Sequence, residues 1–292
     1  MKTAFMFPGQ GSQAVGMGRE LYDSNRAAKA VFDEIEAAVP GLLDVMWNGT
    51  AEDLAKSENS QPAIFATSQA MWQSSEFRVQ SSDSALVFGH SLGEYSALCA
   101  AGAISTADAA RLLRRRGELM QSAVPAGVGA MAAIIGAGWS IDDAQSICDE
   151  ANSKLGVVSV ANDNGIGQVV ISGAREAVEK AVELALAKGA KLAKVLPISV
   201  PAHSAMMGPM VAEFRAAVDA ISWSAPKLPF ISNKTADIMS DLAEIKDALV
   251  YQLTHGVRFR ECVLRAANLG VTDFIEIGPG NVLSGIVKRI IV

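Results

Sequence analysis

Cysteine is scarce in this 292-residue chain: Cys99, Cys148 and Cys262 are far apart and odd in number. That argues against a disulfide framework, and without a CxxC or Cys/His cluster zinc has no ligand set. The thiols read as reduced side chains in a core. Aromatic residues make up only 6% and charged residues 19%. Half the chain is nevertheless hydrophobic, too much for a disordered protein. Positive charge is not in excess either. Twenty-five basic residues against 31 acidic ones leave −6, so nucleic acid meets no globally basic face and any basic patch is local. Histidine is as rare as cysteine, with His90, His203 and His255 its only addresses. A signal-peptide core is missing, because the first apolar run stops at Pro8 and Gly9. Leu119 to Ile141 carries no charge, but Pro125, Gly127, Gly129, Gly136 and Gly138 interrupt it. It reads as a helix end, a loop and a buried strand rather than a membrane span. The expectation is a cytoplasmic protein.

What is present is an alternation of strands and helices. Thr3–Phe7 and Ala85–Phe88 read as buried strands. Helical patterning covers Arg19–Val39, and Pro62 suits the first turn of a helix running to about Phe77. Ser105 and Asp108 form a capping box that opens a helix to about Ser122. The rhythm then changes. Strand Gly129–Ile135, a helix capped by Ser140, strands Val157–Ala161 and Gln168–Ser172, helix Ala174–Lys188 and strand Lys191–Ile198 give β-α-β-β-α-β, the ferredoxin-like arrangement. Afterwards the first pattern resumes: helix His203–Ala220, strand Leu228–Ser232, helix Asp241–Leu253, strand Asp273–Ile277 and a helix from Asn281. The expected fold is α/β: a parallel sheet covered on both faces, built from 1–125 and 199–292, with a small ferredoxin-like unit at 126–198 inserted in it.

Gly89-His90-Ser91-Leu92-Gly93 matches G-x-S-x-G between a strand and a helix, the context of a nucleophile elbow. The turn demands glycine two residues either side of Ser91, and the helix aims its amides and positive dipole end at that serine. The Leu92 N–H is then an oxyanion donor. A serine nucleophile needs a base. His90 is adjacent in sequence, but its side chain diverges, and it is expected to pack or hydrogen-bond behind the elbow. His203 follows a strand and precedes a helix, which puts it at the same sheet edge; His255 is the competitor. Asp163 falls between serine and histidine in chain order but belongs to the inserted unit, and no acid is nominated. A carbonyl can orient the imidazole instead.

Ala109, Leu112, Leu113, Leu119 and Met120 form one helical stripe, and Arg116 falls in its middle while Arg114 and Arg115 point elsewhere. A buried arginine calls for a carbonyl or an anion, and its planar fork suits a carboxylate. Near the N-terminus, Gly9-x-Gly11-x-x-Ala14 superficially fits a dinucleotide fingerprint. Pro8 disturbs the turn, and no acid-tipped strand follows, since Asp33 and Glu34 sit in a helical pattern. Such a loop can equally supply an oxyanion donor, the Gln10 N–H.

FPGQGSQ (7–13), QPA (61–63), GHSLGEYSAL (89–98), RG (116–117), GAMAAI (129–134), GQVVISG (167–173), SVPAH (199–203) and EIGPGNVL (276–283) run in order along nearly the whole chain. Together they resemble the bacterial malonyl-CoA:acyl-carrier-protein transacylase family. The resemblance implies an α/β-hydrolase-like large subdomain with the ferredoxin-like insertion. It further implies that Ser91 is acylated, that His203 is the general base and that Arg116 holds the malonyl carboxylate. The Gln10 and Leu92 amides would form the oxyanion hole, and the Gln252 carbonyl would orient the histidine; Gln252 and His90 would border the substrate with Arg116. The partners implied are malonyl-CoA and an acidic acyl carrier protein, with no metal or redox cofactor and a monomeric enzyme. Lys191, Lys194, Lys288 and Arg289 are the candidate docking cations. The chain departs from the family in lacking a proline within 162–168 and in carrying Ala202 where serine is frequent. Three rivals share parts of this site: a serine hydrolase, which has no use for Arg116, the acyltransferases of polyketide loading and malonate decarboxylation, and a catalytically dead scaffold.

Overall fold

The computed structural model describes residues 2–75, 84–125, 127–152, 156–198 and 200–291. Phe77, residue 126 and Ser199, on which expected boundaries fall, lie outside these. The elements in chain order are β1 (Lys2–Phe7), α1 (Arg19–Ser24), α2 (Arg26–Ala38), α3 (Leu42–Trp47), α4 (Ala51–Ala55), α5 (Ser57–Ser74), β2 (Ala85–Gly89), α6 (Gly93–Ala100) and α7 (Thr106–Ala123). They continue with β3 (Gly129–Ile135), α8 (Ile141–Ala151), β4 (Val158–Asp163), β5 (Gln168–Ala174), α9 (Arg175–Ala187) and β6 (Leu192–Val195). A 3-10 helix (Ala205–Met210) leads into α10 (Val211–Asp219), β7 (Phe230–Ile231), β8 (Ile238–Met239), α11 (Leu242–Tyr251), α12 (Phe259–Asn268), β9 (Val271–Glu276) and α13 (Val282–Ile290).

Two sheets result. The first has the order β8-β7-β2-β1-β9 and is parallel except for β8. Its central strands alternate strictly. Phe5, Phe7, Ala85 and Val87 face the core under α2, α5 and α7, while Ala4, Met6, Leu86 and Phe88 face α12 and α13. The register ends on Phe7 opposite Gly89, so the Pro8 loop and the Ser91 turn leave the sheet side by side. The second sheet is antiparallel, in the order β4-β5-β3-β6, with α8 and α9 packed on one face. Strand β4 of the second sheet touches the rest of the chain where Asn162 bridges to Val257, in the segment before α12. The charge-free stretch behaves as read, ending α7 and then forming β3. Among the described residues no helix is long and apolar enough to cross a membrane.

Several expected elements are corrected. Arg19–Val39 is two helices, because Asn25 turns extended and its side chain caps α2 by accepting from the Ala27 and Ala28 amides. Pro62 is not in a first turn: α5 begins at Ser57. The extra turn is held by α7, whose Gly117 comes so close that a Cβ there would sit 2.4 Å from the Glu58 Cα. The start of His203–Ala220 is 3-10 helix rather than α-helix, with Gly208 and Pro209 inside it. Strand Leu228–Ser232 shrinks to two residues, paired with the unexpected β8. Helix α12 was not anticipated, although Phe259, Cys262, Val263 and Ala266 form its buried stripe. Cys148 and Cys262 are buried and Cys99 half-buried, all as free thiols.

Candidate active site

Ser91 sits immediately after β2 in the left-handed region, with φ 54°. Nothing but glycine fits around it. A Cβ on Gly89 would lie 2.0 Å from the Gly93 carbonyl carbon, and one on Gly93 2.1 Å from the Phe7 carbonyl oxygen. The turn is braced from across the sheet: the Ser91 N–H donates to Asn233 Oδ1 at 3.0 Å, and Asn233 Nδ2 donates to the Gly89 carbonyl at 2.8 Å. Leu92 is buried at the N-cap of α6. Gln10 leaves β1 beside it and, with Ser91, Arg116 and His203, lines one cleft.

Ser91 Oγ lies 2.8 Å from His203 Nε2, and His203 Nδ1 lies 2.7 Å from the main-chain oxygen of Gln252. Gln252 caps the C-terminus of α11, where carbonyls lack helical partners and the dipole is negative. Nδ1 therefore carries the proton, and Nε2 turns its lone pair to the serine. No carboxylate is involved; Asp163 accepts the Gly165 N–H within its own loop. Burial, reinforced by the Arg116 charge, pushes the His203 pKa down to about 3, so the imidazole is neutral.

Arg116 is 1% exposed on the apolar stripe of α7. Its Nη1 donates to Gln61 Oε1 at 2.7 Å; its Nη2 donates to Gln252 Oε1 at 3.0 Å and to Ser91 Oγ at 3.3 Å. Its Nε–H has no hydrogen-bond partner. All three acceptors are neutral, so a buried cation sits beside the serine without a direct counter-ion. Arg114 and Arg115 turn away, to Asn59 and to Glu118 and Glu213.

His90 points behind the turn, with Nε2 2.9 Å from Asn164 Oδ1 and its ring against Phe259, though it still borders the cleft. His255 is exposed, stacked on Tyr251 and bonded to that residue's carbonyl; it is outside the site. Arg289 bonds Gln168 at the cleft rim. No group of three or more potential metal ligands exists among the described residues.

The structure thus brings Ser91, Gln10, His203, Arg116 and His90 to one cleft, with Gln252 behind it bonded to His203 and Arg116; Leu92 is buried next to Ser91 and does not line the cleft. Sequence reasoning gave no role to Gln61, Glu94 or Asn233. Gln61 could have been noticed as a polar residue beside Pro62 in an otherwise buried helix. Glu94 could have been noticed one turn beyond the serine on a helix whose visible residues are apolar. Asn233 follows a two-residue strand and carries no pattern.

A family model described as an acyl transferase domain matches residues 4–291. The malonyl CoA-acyl carrier protein transacylase of Bacillus subtilis is 46% identical over 290 residues, 99% of this chain and 90% of that protein. An acyl-carrier-protein-S-malonyltransferase from Bartonella henselae superposes with TM-score 0.95 at 45% identity, covering 99% of this chain and 92% of that one. A malonyl-transacylase in complex with a type II PKS acyl-carrier protein superposes with TM-score 0.94 at 40% identity, covering 100% and 93%. The chain belongs to the acyl transferase family, among its malonyl CoA-acyl carrier protein transacylases.

Proposed function

We propose that this acyltransferase moves malonyl from malonyl-CoA to the phosphopantetheine thiol of acyl carrier protein through a malonyl-Ser91 ester, supplying fatty acid synthesis. The observation that carries the reading is Arg116, a buried guanidinium held only by neutral oxygens and 3.3 Å from the Ser91 hydroxyl. A carboxylate two bonds beyond a thioester carbonyl supplies the anion this cation lacks.

Ser91 Oγ gives its proton to His203 Nε2 and attacks the thioester carbonyl carbon. The oxyanion is received by the Gln10 and Leu92 amides. The Gln252 carbonyl and the negative end of α11 favour the imidazolium as it forms. The C–S bond breaks, coenzyme A takes the proton from Nε2, and malonyl-Ser91 remains. The carrier thiol then gives its proton to His203 and attacks the ester, and Ser91 Oγ leaves and recovers the proton. The malonyl carboxylate also cancels the Arg116 charge that depresses His203, so the base strengthens when the correct acyl group is bound. No step calls for a metal or redox cofactor. We read residues 1–125 and 199–292 as an α/β-hydrolase-like subdomain and 126–198 as a ferredoxin-like one, the cleft lying between them. Lys191, Lys194, Lys288 and Arg289 are the cations offered to an acidic carrier.

Intact-mass measurement after mixing with malonyl-CoA, acetyl-CoA or methylmalonyl-CoA tests this. A stable malonyl adduct is expected on the parent and none on Ser91→Ala. A hydrolase would release free malonate without accumulating the adduct, and transfer surviving in Ser91→Ala would refute the scheme. The likeness to a transacylase bound to a type II PKS carrier makes a polyketide carrier the second reading. Competition between fatty-acid and polyketide carriers separates the two.

A further inference from the structure

Glu94 is fully buried one turn beyond Ser91 and takes no part in the transfer as derived above. Its Oε1 accepts the Asn233 backbone N–H at 2.6 Å, and its Oε2 accepts from Gln252 Nε2 at 2.5 Å. Both partners are donors and the Arg116 charge lies one amide away, yet burial outweighs these contacts and pushes the group's pKa up to about 8; the geometry, two donors on two oxygens, holds for the carboxyl group in either state. A side-chain amide donates at one end and accepts at the other, so whatever fixes one end decides what the other presents. Gln252 Nε2 also lies 3.3 Å from the Ser91 carbonyl oxygen and from Asn233 Oδ1, but Glu94 at 2.5 Å is its nearest acceptor, and with Nε2 turned to that side Gln252 presents its Oε1 to Arg116 Nη2 at 3.0 Å. The result is a chain of carboxyl group, amide and guanidinium, all inside the protein. The same Gln252 holds His203 through its main chain, so its side chain and backbone serve the two halves of the site separately.

We infer that Glu94 is a positioning residue for the carboxylate anchor: by holding the Gln252 amide donor-end first, it keeps an accepting oxygen on Arg116 and aims the guanidinium at the acyl group. This rests on reading Arg116 as the partner of the malonyl carboxylate. In Glu94→Gln the new amide can keep an oxygen for Asn233 only by turning its NH2 on the NH2 of Gln252. Gln252 then either shifts off Arg116 or turns over and points a donor at the guanidinium. The anchor is misdirected, while the oxygen kept for Asn233 preserves the brace on the Ser91 turn and the Gln252 main chain still holds His203.

The test compares the parent with Glu94→Gln, Gln252→Met and Arg116→Ala, reading kcat/KM for malonyl-CoA against acetyl-CoA. In Glu94→Gln the malonyl-to-acetyl ratio is expected to fall about tenfold, the loss of one charge-assisted hydrogen bond, and to fall through KM more than kcat. A role confined to supporting the fold lowers both substrates together and leaves the ratio alone, which would overturn the inference. Gln252→Met keeps the main-chain carbonyl and similar bulk; it is expected to lose the ratio likewise and decides the matter if Glu94→Gln does not fold. A parental ratio in these variants, with the ratio lost in Arg116→Ala, refutes the role of Glu94 alone. A parental ratio in Arg116→Ala refutes the anchor itself.

Discussion

Replacing Arg116 by alanine removes the one cation that, among the described residues, bonds the Ser91 hydroxyl. The guanidinium spends its hydrogen bonds on two amide oxygens and the nucleophile, and an incoming carboxylate gains a charged partner already stripped of water. A charge-assisted hydrogen bond is worth about 1.5–3 kcal/mol, and leaving a buried charge without its partner costs about 3–5 kcal/mol. Taking about 3–4 kcal/mol, kcat/KM for malonyl-CoA falls roughly 10²- to 10³-fold. Acetyl-CoA makes no such contact. Losing the positive charge also relieves His203, whose basicity Arg116 depresses, so transfer of acetyl falls far less. The assay is coenzyme A release with both donors at saturating carrier, with thermal unfolding to confirm the fold. Equal losses for malonyl and acetyl, or an unchanged ratio, would refute the assignment of Arg116 to the carboxylate.

Two further outcomes follow from strain and protonation. Gly93→Ala should destabilise the chain by roughly 3 kcal/mol or more, because its Cβ would meet the Phe7 carbonyl oxygen at 2.1 Å; an unfolding midpoint matching the parent contradicts the close approach. His203 has a folded pKa near 3 against 6.5 when unfolded. Between those values only the unfolded chain takes the proton, so stability is complete above pH 6.5 and declines as pH falls towards 3. From pH 7 to 5 the loss is about 2 kcal/mol, and His203→Gln should lack that part of the decline in urea unfolding at those two pH values. Equal declines in the two proteins would show that the imidazole is not buried in its neutral form.

The sequence displayed some parts of the site because they obey local rules. The elbow needs glycine at fixed offsets, and Arg116 interrupts a stripe of period 3.6, so both are visible without a structure. Helix α12 obeys the same rule, but Arg258, Arg260, Glu261 and Arg265 crowd its stripe and hide it. The carbonyl of Gln252 could be assigned only through resemblance, since a main-chain acceptor leaves no mark in composition. Asn233 meets Ser91 across 142 residues, and Glu94 meets Gln252 across 158; such contacts follow from the way the sheet closes and from no neighbouring residue. Pro62 misled because its ring suits a first turn, whereas packing against Gly117 extends α5 beyond it.

Strand β1 lies between β2 and β9, so one of its two neighbours is made about 270 residues after it. At bacterial or eukaryotic synthesis rates that wait is on the order of 10–50 s. The antiparallel sheet, by contrast, is complete once Val195 has emerged. During synthesis one sheet can therefore form while the other still has an open edge beside Lys2–Glu276. Ser91 and His203 are both synthesised before that edge can close, whereas the Ile277 amide that reaches the Met6 carbonyl, next to the loop that carries Gln10, is made only afterwards. A chain truncated before β9 would thus hold Ser91 and His203 without the strand that backs the Gln10 loop.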